Sequence, residues 1–235
     1  MKKYYRIAQL VVQMDASGRT LQQATPYEIE WFGPADIEIA FDPAEVLRAS
    51  PDLENEDLAE YVVSGVIFAR RMLNFDGYYL HSSAVVLDGK AYLFTAPSGT
   101  GKSTHTENWV RLFGAHYLND DKPVLRKVDG TWMAFGTPWS GKHARSSNEG
   151  VPVGGIACLR RGEKNEITPM PPAAAVRYFM SQTLHHLRAD QIEKKLSLID
   201  RLLQELPVWD LACLPDEAAA IMAKNAMTGA GEVAP

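Results

Sequence analysis

The chain of 235 residues has only two cysteines, Cys158 and Cys213, far apart and outside any CxxC pattern. That usage excludes a disulfide framework and a thiolate metal clip, and leaves buried, reduced thiols as the reading. Long apolar runs are missing as well. The best membrane candidate, Tyr61 to Ala69 (YVVSGVIFA), has about half the length a spanning helix needs and runs into Arg70 and Arg71. The amino-terminal MKKYYRIAQLVVQMD opens with two lysines, yet Arg6 and Gln9 interrupt a signal-peptide core and no small-residue cleavage site follows. A dense basic run is also lacking. With a formal net charge of −5, the chain is a poor match for nucleic-acid phosphates, which reward clustered Lys and Arg. The expectation is a cytoplasmic protein with neither nucleic acid nor membrane as partner; a homo-oligomer is compatible with the sequence.

What is present suits a soluble globular chain: hydrophobic residues make up 46% and charged residues 23%, and the length allows one large domain or a domain with an appendage. Residues 1–54 read as a small β-rich region. Tyr5 to Val12 and Ile37 to Phe41 cluster β-formers, and Gly18, Pro26, Gly33 and Pro34 mark turns. A helix is expected from Asn55, where Leu58, Tyr61, Val62, Val66, Ala69 and Leu73 follow a 3.6-residue period behind acidic Glu56 and Asp57. From there to residue 227 the pattern is a mixed α/β core. Tyr79 to Leu87 and Ala91 to Thr95 flank Asp88-Gly89, a hairpin signal. A helix over Lys102 to Phe113 and a strand over Ala115 to Leu118 follow, then β-rich segments at Pro123–Lys127, Thr131–Phe135 and Gly155–Leu159. Helical sequence covers Ala173 to Leu206, a strand Val208 to Ala212, and a helix from Asp216; residues 228–235 read as a disordered tail.

The second hairpin strand delivers the chain into Ala96-Pro97-Ser98-Gly99-Thr100-Gly101-Lys102-Ser103-Thr104. A phosphate cradle needs inward-facing backbone N–H groups, which glycine supplies cheaply, and a helix amino terminus behind them. It also needs a lysine for the β- and γ-phosphates and a neighbouring hydroxyl for Mg²⁺. Gly99, Gly101, Lys102 and Ser103 meet these demands. Ala96 departs from the phosphate-loop pattern, which asks for glycine; a methyl group is tolerated there if φ stays negative.

Asp120 and Asp121 follow a short apolar strand about twenty residues beyond the loop; adjacent strand residues point to opposite faces, so one carboxylate can serve a metal and the other an acceptor hydroxyl. An Asn-Asp-Asp turn closing a strand is the competing reading. His81 precedes the hairpin and could hydrogen-bond an aspartate, although lone histidines are commonly structural. The polar loop from Gly136 to Glu149 carries Lys142 and Arg145, cations able to cover phosphate charge, and Glu149, a further metal or substrate candidate; ordinary surface charges are the alternative for each. Trp139 reads as buried. His185 and His186 are adjacent and cannot share a helix face, which argues against a metal clip.

These pieces, in this order, resemble the HPr kinase/phosphorylase superfamily and especially its small stand-alone relatives such as lasso peptide kinases. The resembling residues run from Leu80-His-Ser-Ser-Ala-Val-Val through SGTGKST, NDD and Val151-Pro-Val-Gly-Gly-Ile-Ala-Cys-Leu to Leu206-Pro-Val-Trp-Asp-Leu and Pro215-Asp-Glu. The resemblance implies an α/β fold with a P-loop nucleotide-binding core of the HPr kinase/phosphoenolpyruvate carboxykinase type. It implies ATP and Mg²⁺ as cofactors and a hydroxyl-bearing peptide, protein or small molecule as acceptor, a peptide serine being favoured by the stand-alone relatives. It also implies that His81 supports the acidic pair. Glu149 to Gly155 match the phosphorylase signature poorly, so phosphate removal is not expected. In the resulting picture MgATP lies on Ala96 to Thr104, Ser103 and Asp120 hold Mg²⁺, and Asp121 accepts the proton of the acceptor. A small-molecule kinase, a carboxykinase-like reaction and a non-catalytic nucleotide-gated binding module remain alternatives.

Overall fold

The computed structural model describes residues 3–50, 52–183 and 187–229. The His185-His186 pair and the tail from residue 230 lie outside the described residues.

The first run of β-formers is a hairpin rather than one strand: β1 (Lys3–Ile7) and β2 (Leu10–Met14) pair antiparallel. Ala8 and Gln9 turn the chain with both φ angles positive, 51° and 65°. That conformation ordinarily calls for Asn or Gly, so the turn carries no sequence signature. The β-rich start also contains helix, which its sequence pattern does not signal. Two short helices, α1 (Gly18–Ala24) and α2 (Pro43–Ala49), flank β3 (Glu28–Ile29) and β4 (Ile37–Ile39) along the chain. The strands form a sheet in the order β3-β1-β2-β4. Asp42 caps α2 by accepting from the Ala44 amide, with Pro43 in the first turn.

Helix α3 (Glu56–Met72) begins at its Asn55 cap, whose side chain accepts from the Leu58 amide. Beyond it come β5 (Gly77–Tyr79), β6 (Ser82–Leu87), β7 (Lys90–Thr95), α4 (Lys102–Phe113), β8 (His116–Asn119), β9 (Val124–Val128) and β10 (Thr131–Phe135). The rest is β11 (Gly150–Arg161), β12 (Glu166–Pro169), α5 (Pro172–Ser181), α6 (Ala189–Glu205), β13 (Val208–Cys213) and α7 (Glu217–Thr228). The helical sequence from 173 to 206 forms two helices, and β12 carries little sequence signal, since its Glu-Ile-Thr-Pro has only one strongly β-forming apolar residue.

These strands build a mixed sheet around β11. Its first residues pair antiparallel with β10, its middle runs parallel to β7, and its end runs parallel to β13. Beyond β7 lie β6 and β8, beyond β10 lie β9 and β5, and β12 covers β13. Strand residues divide between two faces with period two. Ala91 and Leu93 of β7 join Ala84, Val86, Ile156 and Cys158 under α5 and α6. Tyr92 and Phe94 join Val85, Ala157 and Leu159 against Trp109 of α4 and Ala220 of α7. Strands buried on both faces read as unbroken apolar runs, which is why the hairpin was visible in sequence. A third cluster joins Tyr5, Ile7, Val12 and Ile37 of the amino-terminal sheet to Tyr61, Phe68 and Met72 of α3 and to Val124, Phe135 and Trp139.

Candidate functional site

Strand β7 ends at Thr95, and the chain crosses to α4 through residues 96–101. Gly99 and Gly101 hold φ values of 78° and 119°, left-handed conformations that cost a residue with a Cβ. Ala96 is not at positive φ; it is fully buried and its methyl group belongs to the cluster beneath the loop. The backbone condition for an alanine at this place is therefore met. α4 then starts directly behind the glycines, with Gly101 as its cap. The Lys102 ammonium donates to the carbonyls of Ala96, at 2.7 Å, and Pro97, at 3.4 Å. Burial lowers its pKa, and the charges of Asp121 and Asp120 partly offset that. Ser98, Ser103 and Thr104 present exposed side chains along the same rim.

The acidic pair enters from β8. Asn119 is buried, and its Oδ1 accepts from the amides of Asp121, at 2.9 Å, and Lys122, at 2.7 Å. The two aspartates thus stand in a side-chain-held turn, not in an extended strand, so alternation along a strand does not separate them. The turn and the acidic pair coexist. Ser83 Oγ donates to Asp120 Oδ1 at 2.7 Å and shares a 3.0 Å hydrogen bond with Thr106 of α4. His81 Nε2 lies 3.3 Å from Asp121 Oδ1, and Lys122 Nζ donates to Asp121 Oδ2 at 2.6 Å. Burial pushes the Asp121 carboxyl up, but the His81 hydrogen bond and the Lys122 charge outweigh it and hold the pKa at about 2. His81 is itself placed by its amide, which donates to the Gln182 carbonyl at 2.7 Å, with Gln182 Oε1 3.3 Å from Nδ1.

An open cleft of about 490 Å³ gathers these groups. His81, Ser98, Gly99, Gly101, Lys102, Ser103, Thr104, Asp120 and Asp121 line it, together with Gly141, Lys142 and His143. Gly141 passes so close that a Cβ there would stand 3.0 Å from that of Asp121. Two candidates point elsewhere. The Arg145 guanidinium donates to the Tyr117 hydroxyl at 2.8 Å and to Glu107 at 3.4 Å, outside the cleft lining, while its carbonyl accepts from the Asp120 amide. Glu149 is bound by His116 and Ser147, each at 2.6 Å, and does not line the cleft either. Trp139 is buried, stacked on Phe68 with its indole N–H on Ser64.

No protein-family model matches the chain, and no curated protein does. Among solved structures, the HPr(Ser) kinase/phosphatase from Coxiella burnetii is similar over 65% of this chain and 95% of that chain, at 14% identity and a TM-score of 0.38. So distant a likeness carries no argument about activity. The geometry must.

Several groups at the cleft went unnoticed in the sequence. Lys122 follows Asp121 directly, and Ser83 shares the period-two face of His81. Arg161, at the end of β11, donates to the Gly99 carbonyl at 2.9 Å, and no local signal marks it. It also borders a second cavity of about 350 Å³ on the other side of the loop, where Thr104 and Asn108 of α4 face Leu214, Pro215 and Asp216. The loop from Gly136 is tied down from outside the core. Arg19 of α1 donates to the Gly141 carbonyl, the Gln23 amide hydrogen-bonds Ser140 Oγ at 3.0 Å, and the Tyr27 hydroxyl bonds Ser146. The Tyr61 hydroxyl accepts from the Gly141 amide at 3.1 Å, and the Arg19 guanidinium lies 4.0 Å from the Tyr61 ring centroid.

Proposed function

We propose that the chain is an ATP-dependent phosphotransferase that moves the γ-phosphate of ATP to a hydroxyl, and that the acceptor is a serine presented by a peptide or protein. The observation that carries this is the convergence, in one cleft, of a glycine loop at a helix start, Lys102, and a hydrogen-bonded acidic pair. A binding module has no use for a carboxylate held between a histidine and a lysine.

The residues divide the work by position. The α4 amino terminus and the amides around Gly99 and Gly101 face the phosphates, where unpaired N–H groups favour anions. Lys102, now spanning the loop carbonyls, has the reach and charge to bind the β- and γ-phosphates. Ser103 and Asp120 fit a magnesium ion: both line the cleft, and Asp120 Oδ1 is anchored by Ser83 while Oδ2 makes no hydrogen bond among the described residues. Bound there, the ion would neutralise charge building on the phosphates. Asp121, ionised at neutral pH because its pKa lies at about 2, accepts the hydroxyl proton as the oxygen attacks. His81 and Lys122 fix its orientation. Lys142, on the exposed rim, screens the moving charge. The nucleoside occupies the cavity between α4 and Leu214-Pro215, whose walls are mostly apolar. The rim at Ser98, Ser103, Lys142 and His143 is exposed, which suits an acceptor carried on a polypeptide better than one sealed in a closed pocket.

Asp121→Asn should remove phosphate transfer while leaving MgATP affinity within about threefold, because the loop and Lys102 are untouched. Radiolabelled transfer and calorimetry on the same sample read both. Transfer at the wild-type rate would overturn the role of Asp121.

A further inference from the structure

A separate cavity of about 340 Å³ opens in the amino-terminal region, between the four-stranded sheet, α1 and α3. Met14, Ile39 and Phe41 give it an apolar wall, and Glu38, Glu60 and Thr20 give it polar groups. No Lys, Arg or His lines it among the described residues.

Two of those groups are unusual. Glu60 sits on α3 with only 6% of its surface exposed. Its carboxylate oxygens accept from the Ser17 amide at 2.7 Å and the Ser17 hydroxyl at 2.6 Å, and no cation pairs with it among the described residues. A buried carboxylate without a counter-charge carries a large desolvation cost, and proteins ordinarily pair it. Thr20 of α1 is 1% exposed, and its hydroxyl has no hydrogen-bond partner among the described residues. An orphaned buried hydroxyl is uncommon for the same reason. Both deficits face one cavity, and a single kind of ligand repairs both: a cationic N–H donor on an apolar stem.

We propose that this cavity binds an alkylammonium or guanidinium group, its nitrogen against Glu60 and Thr20 and its methylene stem along Met14, Ile39 and Phe41. The site stands independently of the phosphotransferase reading. It is nonetheless linked to the cleft through α1, which presents Thr20 to the cavity and, one residue earlier, Arg19 to the Gly141 carbonyl. Two sources carry the required chemistry, a basic side chain of a polypeptide and a free diamine.

Calorimetry on the full chain separates them, using putrescine and the peptide acetyl-Ala-Ala-Lys-Ala-Ala-amide, with 1-butanol and the norleucine peptide as neutral matches. The expected result is saturable one-to-one binding of at least one cationic probe and none of its neutral match. Tighter binding of the peptide assigns the site to a polypeptide side chain, and tighter binding of putrescine to a free amine. Glu60→Gln should weaken binding at least tenfold. Thr20→Val, which keeps shape and leaves the Ser17 bonds intact, should weaken it about fivefold. If Glu60→Gln fails to fold, Thr20→Val decides alone. Failure of both cationic probes to bind, equal binding of the neutral matches, or unchanged affinity in folded Thr20→Val overturns the site.

Discussion

Asp121 shows how single residues divide between legible and hidden. Its place after a strand and beyond a glycine loop is legible in the sequence, and the family resemblance points to His81 as its support, but nothing in the sequence marks Lys122 as its second partner. The lysine beside it and the histidine forty positions earlier hold opposite oxygens of one carboxylate. Because the folded pKa is about 2 against an ordinary 3.8, the ionised form stabilises the fold above about pH 4. That contribution is lost as the pH falls from about 4 to about 2 and amounts to about 2 kcal/mol. Urea denaturation across that window should show a loss about 2 kcal/mol larger in the wild type than in Asp121→Asn, whose other carboxylates still titrate. Lys102→Ala should weaken MgATP binding by roughly ten- to hundredfold, the worth of a charge-assisted contact, and calorimetry measures it directly. Arg145 and Glu149 mark the limit of residue-level reading. Both lie in the right loop, yet Tyr117, Glu107, His116 and Ser147 take their side chains away from the cleft.

At the scale of elements, local pattern served best where burial was complete. The hairpin of β6 and β7, with Asp88 and Gly89 in its turn, and α4 with its glycine cap follow from apolar runs, Asp-Gly and the glycine loop. The Ala8-Gln9 turn had no such cue, since its unfavourable φ angles are offset by burial of the strands around it. Ala96 is the instructive exception within the loop. Its methyl group fills the core below, so Ala96→Gly should improve the motif and yet cost about 1 kcal/mol through lost burial and added chain entropy; chemical denaturation tests this. The loop from Gly136 is held by α1 and by Tyr61 of α3 as well as by bonds among its own residues. Arg19→Ala should therefore slow transfer by about ten- to hundredfold through misplacement of Gly141 and Lys142, while nucleotide affinity measured by calorimetry stays unchanged.

For the whole molecule, the amino-terminal region is part of one buried cluster with α3 and the strands beneath it. Tyr5, Ile7 and Val12 meet Phe68, Trp139 and Phe135 in that cluster. A chain lacking residues 1–54 would expose those side chains and release the Gly136 loop. Near-ultraviolet circular dichroism should show loss of fixed aromatic packing in such a truncation, and transfer should be absent. The sequence alone leaves open whether residues 1–54 form an appendage or pack on the core, because their elements are short and their turns frequent; packing contacts between distant segments do not appear in a local pattern.

Sequence by itself determined the phosphate-loop pattern, the helix behind it, the acidic pair and most of the strands of the sheet. Those depend on periodicity, turn chemistry and residue type within a few positions. Only the tertiary structure decided that His81, Lys102 and Asp121 share one cleft, that α1 anchors its outer loop, and that Glu60 and Thr20 face a second cavity. Such meetings are set by the register of strands and by which helix faces pack together, and the residues concerned lie tens of positions apart along the chain.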